Sequence, residues 1–453
     1  MVSQLKLIKI ISMCILLFIC QSTYAQYETD YEIDSTYKFN ETKGNEQVLR
    51  LKKGYILGDG VTFISSKGSL NINQTLQTVY GVNSQNKDLS ALNSAFGINR
   101  ARLNLFANIF DNRISLTGRL NFVSNFNSVT TGGRSFNTVL QEANIEYRPN
   151  RTHVFNFGLR ADYVDSREIR IEGESIGFIN RSAVSDAFDT IFDYGIRYKG
   201  NYKLGGKHLL RPFLSVTTGD SRSSLQKNFG GFKYGARLDY LPFDKFSRGG
   251  EYYMDDLYRE ATPKLVLGVV YSYNDGATSV KGTNGGRWLY GDVNQNVILP
   301  SYQKFGIDYL FKYNGWFSMG SYVSTNATAP TGVAGEFRLN GTFNPYPTTQ
   351  TAEVTKNTVL SRLNLGSGAN VQAGYLFYSN WSVAARYSTL KEDLVTASFA
   401  NQNKYYGFVT TKYLAEHNLK IQLEIGYDEN KSILRTATQA GNLHSQLQFT
   451  IQL

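Results

Sequence analysis

The stretch that decides the fold is the end of the chain, His444-Ser445-Gln446-Leu447-Gln448-Phe449-Thr450-Ile451-Gln452-Leu453. Polar and apolar side chains alternate up to the last residue, which predicts a β-strand with two different environments. Chain ends usually fray. A regular strand at the very end is therefore typical of a barrel that its last strand must close. For this segment alone, an edge strand of a soluble sandwich remains the alternative.

The composition favours a chain of many paired strands. Of 453 residues, 31 are Tyr, 28 are Phe and 41 are Gly, whereas only 8 are Pro. Aromatic residues suit strands, and proline interrupts their hydrogen bonding. The mean hydropathy of -0.31 excludes a bundle of membrane helices. It does not exclude a transmembrane barrel, whose strands are apolar on one face only.

The first 25 residues are expected to be a secretory signal peptide. Lys6 and Lys9 precede an apolar run over residues 10–20, and Thr23 and Ala25 are small residues before a cleavage point. The apolar run is too short for a spanning helix. Residues 26–65 begin polar and acidic, and we expect a periplasmic N-terminal segment there. Residues 66–453 would then form the barrel.

Both cysteines, Cys14 and Cys20, fall within this signal peptide. The mature chain would have no cysteine, which excludes disulfides, thiol catalysis and cysteine-ligated metals. Removal of Lys6 and Lys9 takes the formal charge from +10 to +8. This excess suits a surface or lumen that attracts anions. Nucleic acid is a poor partner for an exported chain without a basic run.

Residues 66–453 repeat one unit, two strands joined tightly and followed by a longer loop. The pattern predicts about sixteen strands. Short periplasmic turns that alternate with long extracellular loops are typical of an all-β, transmembrane, antiparallel barrel. A sandwich would have to bury the charged face of these strands, at a high cost. The tight turns are at residues 111–112, 149–150, 205–206, 314–315 and 379–380, and the exception is the long connection at residues 242–261.

The polar face of the strands is rich in basic residues, and we expect it to line a wet lumen. Charged rings select ions by field strength and spacing, so a surplus of bases favours anions. The alternative is that arginine–carboxylate pairs brace the wall. The predicted pore-lining and anion-attracting residues are Arg100, Arg102, Arg113, Arg119, Arg160, Arg197, Lys199, Lys233 and Arg237.

No pattern of residues indicates an enzyme. The four histidines, His153, His208, His417 and His444, have no metal-ligand spacing. There is no Gly-x-Ser-x-Gly elbow and no phosphate-binding loop. We therefore predict no catalytic residue, no metal site and no cofactor.

Three short stretches resemble the phosphate-selective porin O and P family. They are Phe96-Gly97-Ile98-Asn99-Arg100-Ala101-Arg102-Leu103, Leu140-Gln141-Glu142-Ala143-Asn144-Ile145-Glu146-Tyr147-Arg148-Pro149 and Gly177-Phe178-Ile179-Asn180-Arg181-Ser182. The resemblance implies a sixteen-stranded, usually trimeric, anion-preferring outer-membrane channel with an arginine ladder for phosphate. Of the predicted residues, Arg100, Arg102 and Arg181 lie in the matched stretches. Asn99 stands where the family often has Arg.

In sixteen-stranded porins the third loop often folds inward and narrows the pore. By this resemblance, residues 164–190 are expected to form a constriction loop that carries Arg167, Arg170 and Arg181. The alternative is a loop that extends outward.

The main hypothesis is a passive diffusion porin of a Gram-negative outer membrane, for small anions such as phosphate. Its partners would be outer-membrane lipid, lipopolysaccharide and two further copies in a homotrimer. The second hypothesis is a non-conducting barrel that is a structural or accessory subunit of a larger envelope complex. An enzymatic barrel is the third, and the missing histidine constellation disfavours it.

Overall fold

The computed structural model describes residues 50–51, 57–84, 92–110, 112–123, 139–190, 192–219, 229–278, 288–338, 340–393, 403–430 and 441–453. The predicted signal peptide, with Cys14 and Cys20, lies outside the described residues. Most of the predicted periplasmic segment, residues 26–65, lies outside them as well.

Sixteen antiparallel strands form one closed sheet. They are β1 Gly68–Ser84, β2 Leu92–Ile109, β3 Ile114–Asn121, β4 Leu140–Tyr147, β5 His153–Arg160, β6 Asp193–Gly200, β7 His208–Thr217, β8 Lys233–Leu241, β9 Lys264–Asp275, β10 Ser301–Tyr313, β11 Trp316–Thr328, β12 Gly366–Leu376, β13 Trp381–Glu392, β14 Asn403–Ala415, β15 Leu419–Asn430 and β16 Gly441–Gln452. Each strand pairs with its neighbours in this order. The last strand, β16, pairs with β1 from Leu443 to Gln452, which closes the ring. The predicted barrel, its strand number and the closing role of the C-terminal strand are confirmed.

The outer face of the barrel is apolar because the strands alternate as predicted. In β16, Phe449 is 40% exposed on the outside, whereas Gln448 is 1% exposed on the inside. Phe157, Ile196 and Phe408 likewise point outward and are exposed. An apolar exterior around a polar interior is the arrangement of a barrel that contacts lipid.

Strand β11 departs from the pattern. The sequence pattern predicts that Phe317, Met319 and Val323 lie on the outward, apolar face, and this is wrong. Phe317 pairs with Lys312 and Met319 pairs with Leu310, whose side chains face inward, so the register turns these residues into the barrel. A shift of one residue exchanges the two faces of a strand.

The two ends of the barrel differ in their connections. At the short-turn end, Asn314 and Gly315 join β10 to β11 with φ angles of 46° and 89°. Two left-handed residues in succession make the turn whose twist matches the strands it joins. The exception at this end is the connection at residues 242–261, which contains a 3-10 helix, Ser247–Tyr252. The opposite end, the long-loop end, carries the longer connections.

Several elements are not part of the ring of sixteen strands. A strand that the sequence pattern did not predict, Val61–Ser65, pairs with β1 and with Arg50–Leu51. The loop after β5 contains α1 Arg167–Arg170 and α2 Ala183–Phe188. At the long-loop end, a four-stranded sheet accompanies α3 Ala352–Leu360. The strands of that sheet are Leu289–Gly291, Val297–Ile298, Gly335–Phe337 and Phe343–Pro345. Within the part of the chain that the structure describes, no helix is long and apolar enough to cross a membrane.

Candidate functional site

The loop after β5 folds into the barrel, and we call residues 161–190 the inner loop. It contacts walls that are eight strands apart. Glu174 pairs with Arg102 of β2 at 2.9 Å, and Asp165 pairs with Lys304 of β10 at 2.5 Å. On a third wall, the Nζ atom of Lys420 in β15 donates to the carbonyl oxygen of Ile176 at 3.1 Å. The inner loop therefore crosses the lumen.

Local hydrogen bonds give the inner loop its shape. The Ser182 hydroxyl oxygen accepts from the backbone N–H of Ser185 at 3.2 Å, which caps the N-terminus of α2. The carboxylate of Glu168, in α1, accepts from the backbone N–H and the hydroxyl of Ser182, both at 2.6 Å. These bonds join the two short helices of the loop to each other.

A second segment enters the lumen from the short-turn end. We call residues 242–261 the short-end insertion. Lys312 of β10 donates to the carbonyl oxygens of Gly250 and Asp255, both at 2.8 Å. The backbone N–H of Met254 donates to the carbonyl oxygen of Ser175 at 3.1 Å. The insertion and the inner loop therefore meet inside the barrel.

An apolar cluster holds the two segments against the wall. Ile176 and Phe178 of the inner loop pack with Met254 of the short-end insertion and with inward residues of β7 to β11, β13 and β14. Removal of such side chains from water is the main favourable contribution to packing. The wall residues of the cluster include Val266, Leu310, Phe317, Met319, Ala384 and Val409.

A dense group of ion pairs connects α1 of the inner loop to β8 and β10. We call it the aspartate network. Asp239 contacts Arg167 and Arg170 at 2.7 Å each, and Arg237 contacts Asp239 at 2.8 Å and Asp308 at 2.6 Å. Every one of these side chains is at most 4% exposed. The network is dry and internally paired.

Glu172 is an exposed carboxylate of the inner loop. Its side chain is 51% exposed and pairs at 2.9 Å with Arg119, which Glu142 also contacts at 3.3 Å. Four further predicted residues lie within electrostatic range of Glu172: Arg100, Arg102, Arg160 and Arg181. We call Arg100, Arg102, Arg119 and Arg160, from β2, β3 and β5, the arginine wall.

Two of these arginines have no carboxylate as a direct partner among the described residues. Arg100 donates to the side chain of Gln77. Arg181 donates to the main-chain carbonyl oxygens of Glu168 and Ile171. Both guanidinium groups also lie within electrostatic range of Glu172.

The remaining predicted pore residues do not reach Glu172. Arg197 and Lys233 are buried and contact Asp162 at 3.6 and 3.2 Å. Lys199 is half-buried and donates to the hydroxyl of Tyr252 at 2.9 Å. Three more predicted residues belong to the dry aspartate network, and they are Arg167, Arg170 and Arg237.

Arg113 occupies a different place from the predicted one. It precedes β3 in the tight turn, where its N–H donates to the carbonyl oxygen of Phe110 at 3.1 Å. Its side chain is exposed at the rim of the short-turn end. The alternation of polar residues along β3 extended to Arg113, but the strand starts only at Ile114.

Sequence reasoning missed the short-end insertion as part of the site. Its acidic residues, among them Glu251, pair with wall cations, for example Arg211 at 2.6 Å. The available signal was its length, because it is the one long connection at the short-turn end. Among the described residues, no group of histidine and carboxylate side chains is arranged to hold a metal ion.

Solved structures with the same fold include porins. An anion-selective porin from Comamonas acidovorans superposes with a TM-score of 0.50 and 9% identity, covering 85% of this chain and all of that one. OmpF of Salmonella typhi, in complex with daunomycin, superposes with a TM-score of 0.50 and 11% identity, covering 85% of this chain and 98% of that one. No protein-family model and no curated protein matches the sequence. The chain therefore has the fold of the sixteen-stranded porins.

Proposed function

We propose that the protein is a passive diffusion channel of a Gram-negative outer membrane that favours small anions. The observation that carries the proposal is the half-exposed Glu172 carboxylate facing the arginine wall. A carboxylate opposite several guanidinium groups creates a transverse field at a constriction, and uncompensated arginines lower the barrier for anions. No covalent chemistry is involved.

Two arginines near Glu172 that lack a direct ion pair support anions over cations. Five arginines of the wall and the inner loop face the carboxylates of Glu142, Glu146, Glu172 and Glu174, and Arg181 also faces Glu168 and Asp189. Within the described part of the chain, Arg100 and Arg181 make no direct ion pair. A field from fixed charges in a narrow site attracts counter-ions from solution. A more specific form of this proposal is that the channel prefers phosphate, as the family resemblance implies.

We propose that the barrel is exported and inserted in the outer membrane. The apolar outward face fits outer-membrane lipid and lipopolysaccharide, and residues 1–25 would direct export as a signal peptide. A homotrimer is the assembly that the family resemblance implies. Light scattering of the purified protein in detergent tests this assembly, and a monomer would contradict it.

Planar lipid bilayers test the channel proposal. In a potassium chloride gradient, the purified protein is expected to conduct, with a reversal potential that lies closer to the equilibrium potential of chloride than to that of potassium. Replacement of chloride by phosphate tests the finer proposal, which expects phosphate to carry current and to block chloride. Arg100→Gln should reduce the anion preference, whereas Arg338→Gln, on the small sheet at the long-loop end, should not. A reversal potential closer to the equilibrium potential of potassium, or no conductance, would contradict the proposal.

One observation favours a second candidate, a non-conducting barrel in a larger envelope complex. On each of the sixteen strands at least one inward side chain is no more than 6% exposed. These residues are Thr75, Asn104, Arg119, Glu142, Asn156, Arg197, Phe213, Arg237, Val266, Leu310, Phe317, Gln372, Ser388, Val409, Gln422 and Gln448. This candidate expects a partner that copurifies in fixed stoichiometry and bilayers that show no current.

A further inference from the structure

His417 is buried between the wall and the short-end insertion. It lies in the turn between β14 and β15 and is 5% exposed. Its ring stacks on Tyr253 of the insertion, with centroids 5.2 Å apart and planes at 13°, and meets the edge of Tyr413 of β14 at 5.4 Å. Neither ring nitrogen makes a hydrogen bond of normal geometry to a described residue, although the main chain of Glu174 is near.

The charged groups that face His417 are mainly cations. Lys420 of β15 and Lys312 of β10 both act on it electrostatically. Both lysines donate to carbonyl oxygens of the two inserted segments.

The nearby carboxylates are engaged elsewhere. Asp255 of the insertion accepts from the Tyr413 hydroxyl at 2.8 Å. Glu416, the neighbour of His417 in the turn, accepts from the hydroxyl of Tyr258 at 3.4 Å. No described carboxylate is thus placed to compensate a proton on the His417 ring.

Burial, and then the two lysines, hold the pKa of His417 well below its ordinary value. A histidine that is exposed to water binds a proton at about pH 6.5. The packed state therefore binds this proton more weakly than an opened state does. By linkage, the packed state loses stability as the pH falls below about 6.5, and it is most stable above that value.

We propose that the short-end insertion is a latch that opens when His417 is protonated. A charged imidazole between Tyr253 and Tyr413, beside two lysines, is unfavourable. Its free energy falls when the insertion withdraws and water reaches the ring. Withdrawal breaks the hydrogen bond from Met254 to Ser175, which is one of the contacts between the insertion and the inner loop. The inner loop then loses its support from the short-turn end. This latch does not require that the barrel conducts.

Amide hydrogen exchange of Met254 tests the latch in the full-length barrel in lipid nanodiscs. After correction for the intrinsic rate, exchange is expected to be at least about tenfold faster at about pH 5.5 than at about pH 7.5, the factor that one pKa unit represents. His417→Phe keeps an aromatic ring without a titratable group and should abolish the difference. His208→Phe, which replaces an exposed histidine on β7, should preserve it.

The outcomes separate the latch from the channel. Equal exchange at the two pH values in the unmodified chain, or an unchanged pH response in His417→Phe, overturns the latch whatever the bilayers show. A pH response without conductance at either pH supports the latch and contradicts the channel. If His417→Phe does not fold, Tyr253→Leu replaces it. Loss of the stacked ring should make Met254 exchange fast already at about pH 7.5, and slow exchange there would overturn the latch.

Discussion

The aspartate network and the arginine wall use the same residue types in opposite surroundings. In the network, Arg237 and Asp308 are 0% and 2% exposed and lie 2.6 Å apart. At the arginine wall, Arg119 contacts Glu172, whose side chain is 51% exposed, and Arg160 and Glu146 are 23% and 13% exposed at 3.3 Å. The inner loop contributes to both, with α1 on one side and Glu172 on the other. The difference between them is access to water.

Water decides what an ion pair does. Removal of one partner from a dry pair leaves an uncompensated charge and costs about 3–5 kcal/mol, whereas an exposed pair contributes about 0–1 kcal/mol. The aspartate network therefore fixes the inner loop to the wall. The more exposed pairs of the arginine wall, Arg119 with Glu172 and Arg160 with Glu146, contribute less to stability, whereas Arg102 with Glu174 is nearly as buried as the network.

The largest expected effect is on stability. Arg237→Ala removes an ion-pair partner from Asp239 and from Asp308, which are both buried. We therefore expect the free energy of unfolding to fall by about 3–5 kcal/mol. Arg148→Ala is the matched control. Its side chain is 41% exposed beside Glu146, and its loss should cost no more than about 1 kcal/mol. Unfolding by urea in detergent micelles measures both changes, and equal changes would contradict the contrast.

A second expected effect is on chemical access. Ser115 of β3 is partly exposed near the arginine wall, whereas Ser215 of β7 is 3% exposed. A cysteine at position 115 should react with a water-soluble thiol reagent at least about tenfold faster than one at position 215, if opening of the packed side costs more than about 1.4 kcal/mol. The parent chain, labelled in parallel, corrects for Cys14 and Cys20. Similar rates would mean that the lumen is wet on both sides.

The smallest expected effect is on ion preference. Glu172→Gln removes one carboxylate that faces the arginine wall. A unit charge at about 4 Å in water-like surroundings contributes about 1 kcal/mol, which is about fivefold in an equilibrium constant. The chloride-to-potassium permeability ratio, from reversal potentials, should therefore rise about fivefold. Glu353→Gln, in the exposed first turn of α3 at the long-loop end, is the control and should leave the ratio near that of the parent. A ratio that falls in Glu172→Gln would contradict the placement of Glu172.

The sequence was sufficient to predict the barrel because its signals are local. Alternation in β16 predicts a strand, and Asn314-Gly315 predicts a tight turn. Both depend on residues that are adjacent in the chain. The pairing of β16 with β1 also follows, since a closed barrel leaves no free edge.

The filling of the lumen could not be predicted because it depends on distant contacts. Glu172 and Arg119 are 53 residues apart in the chain, and Ile176 and Lys420 are 244 apart. The pattern of β11 also misleads, because Phe317 and Met319 belong to an apolar cluster that exists only when both inserted segments are in place. A polar face indicates a lumen, but it does not tell which charges are dry.

The most direct test of an ion path along the arginine wall is to modify a cysteine at position 172 while the current is recorded. In a planar bilayer, Glu172→Cys should conduct, and an anionic methanethiosulfonate reagent should then reduce its current because the added group lies in the ion path. Ser215→Cys should conduct with no response to the reagent. Block at position 215, or no block at position 172, would contradict a path along the arginine wall.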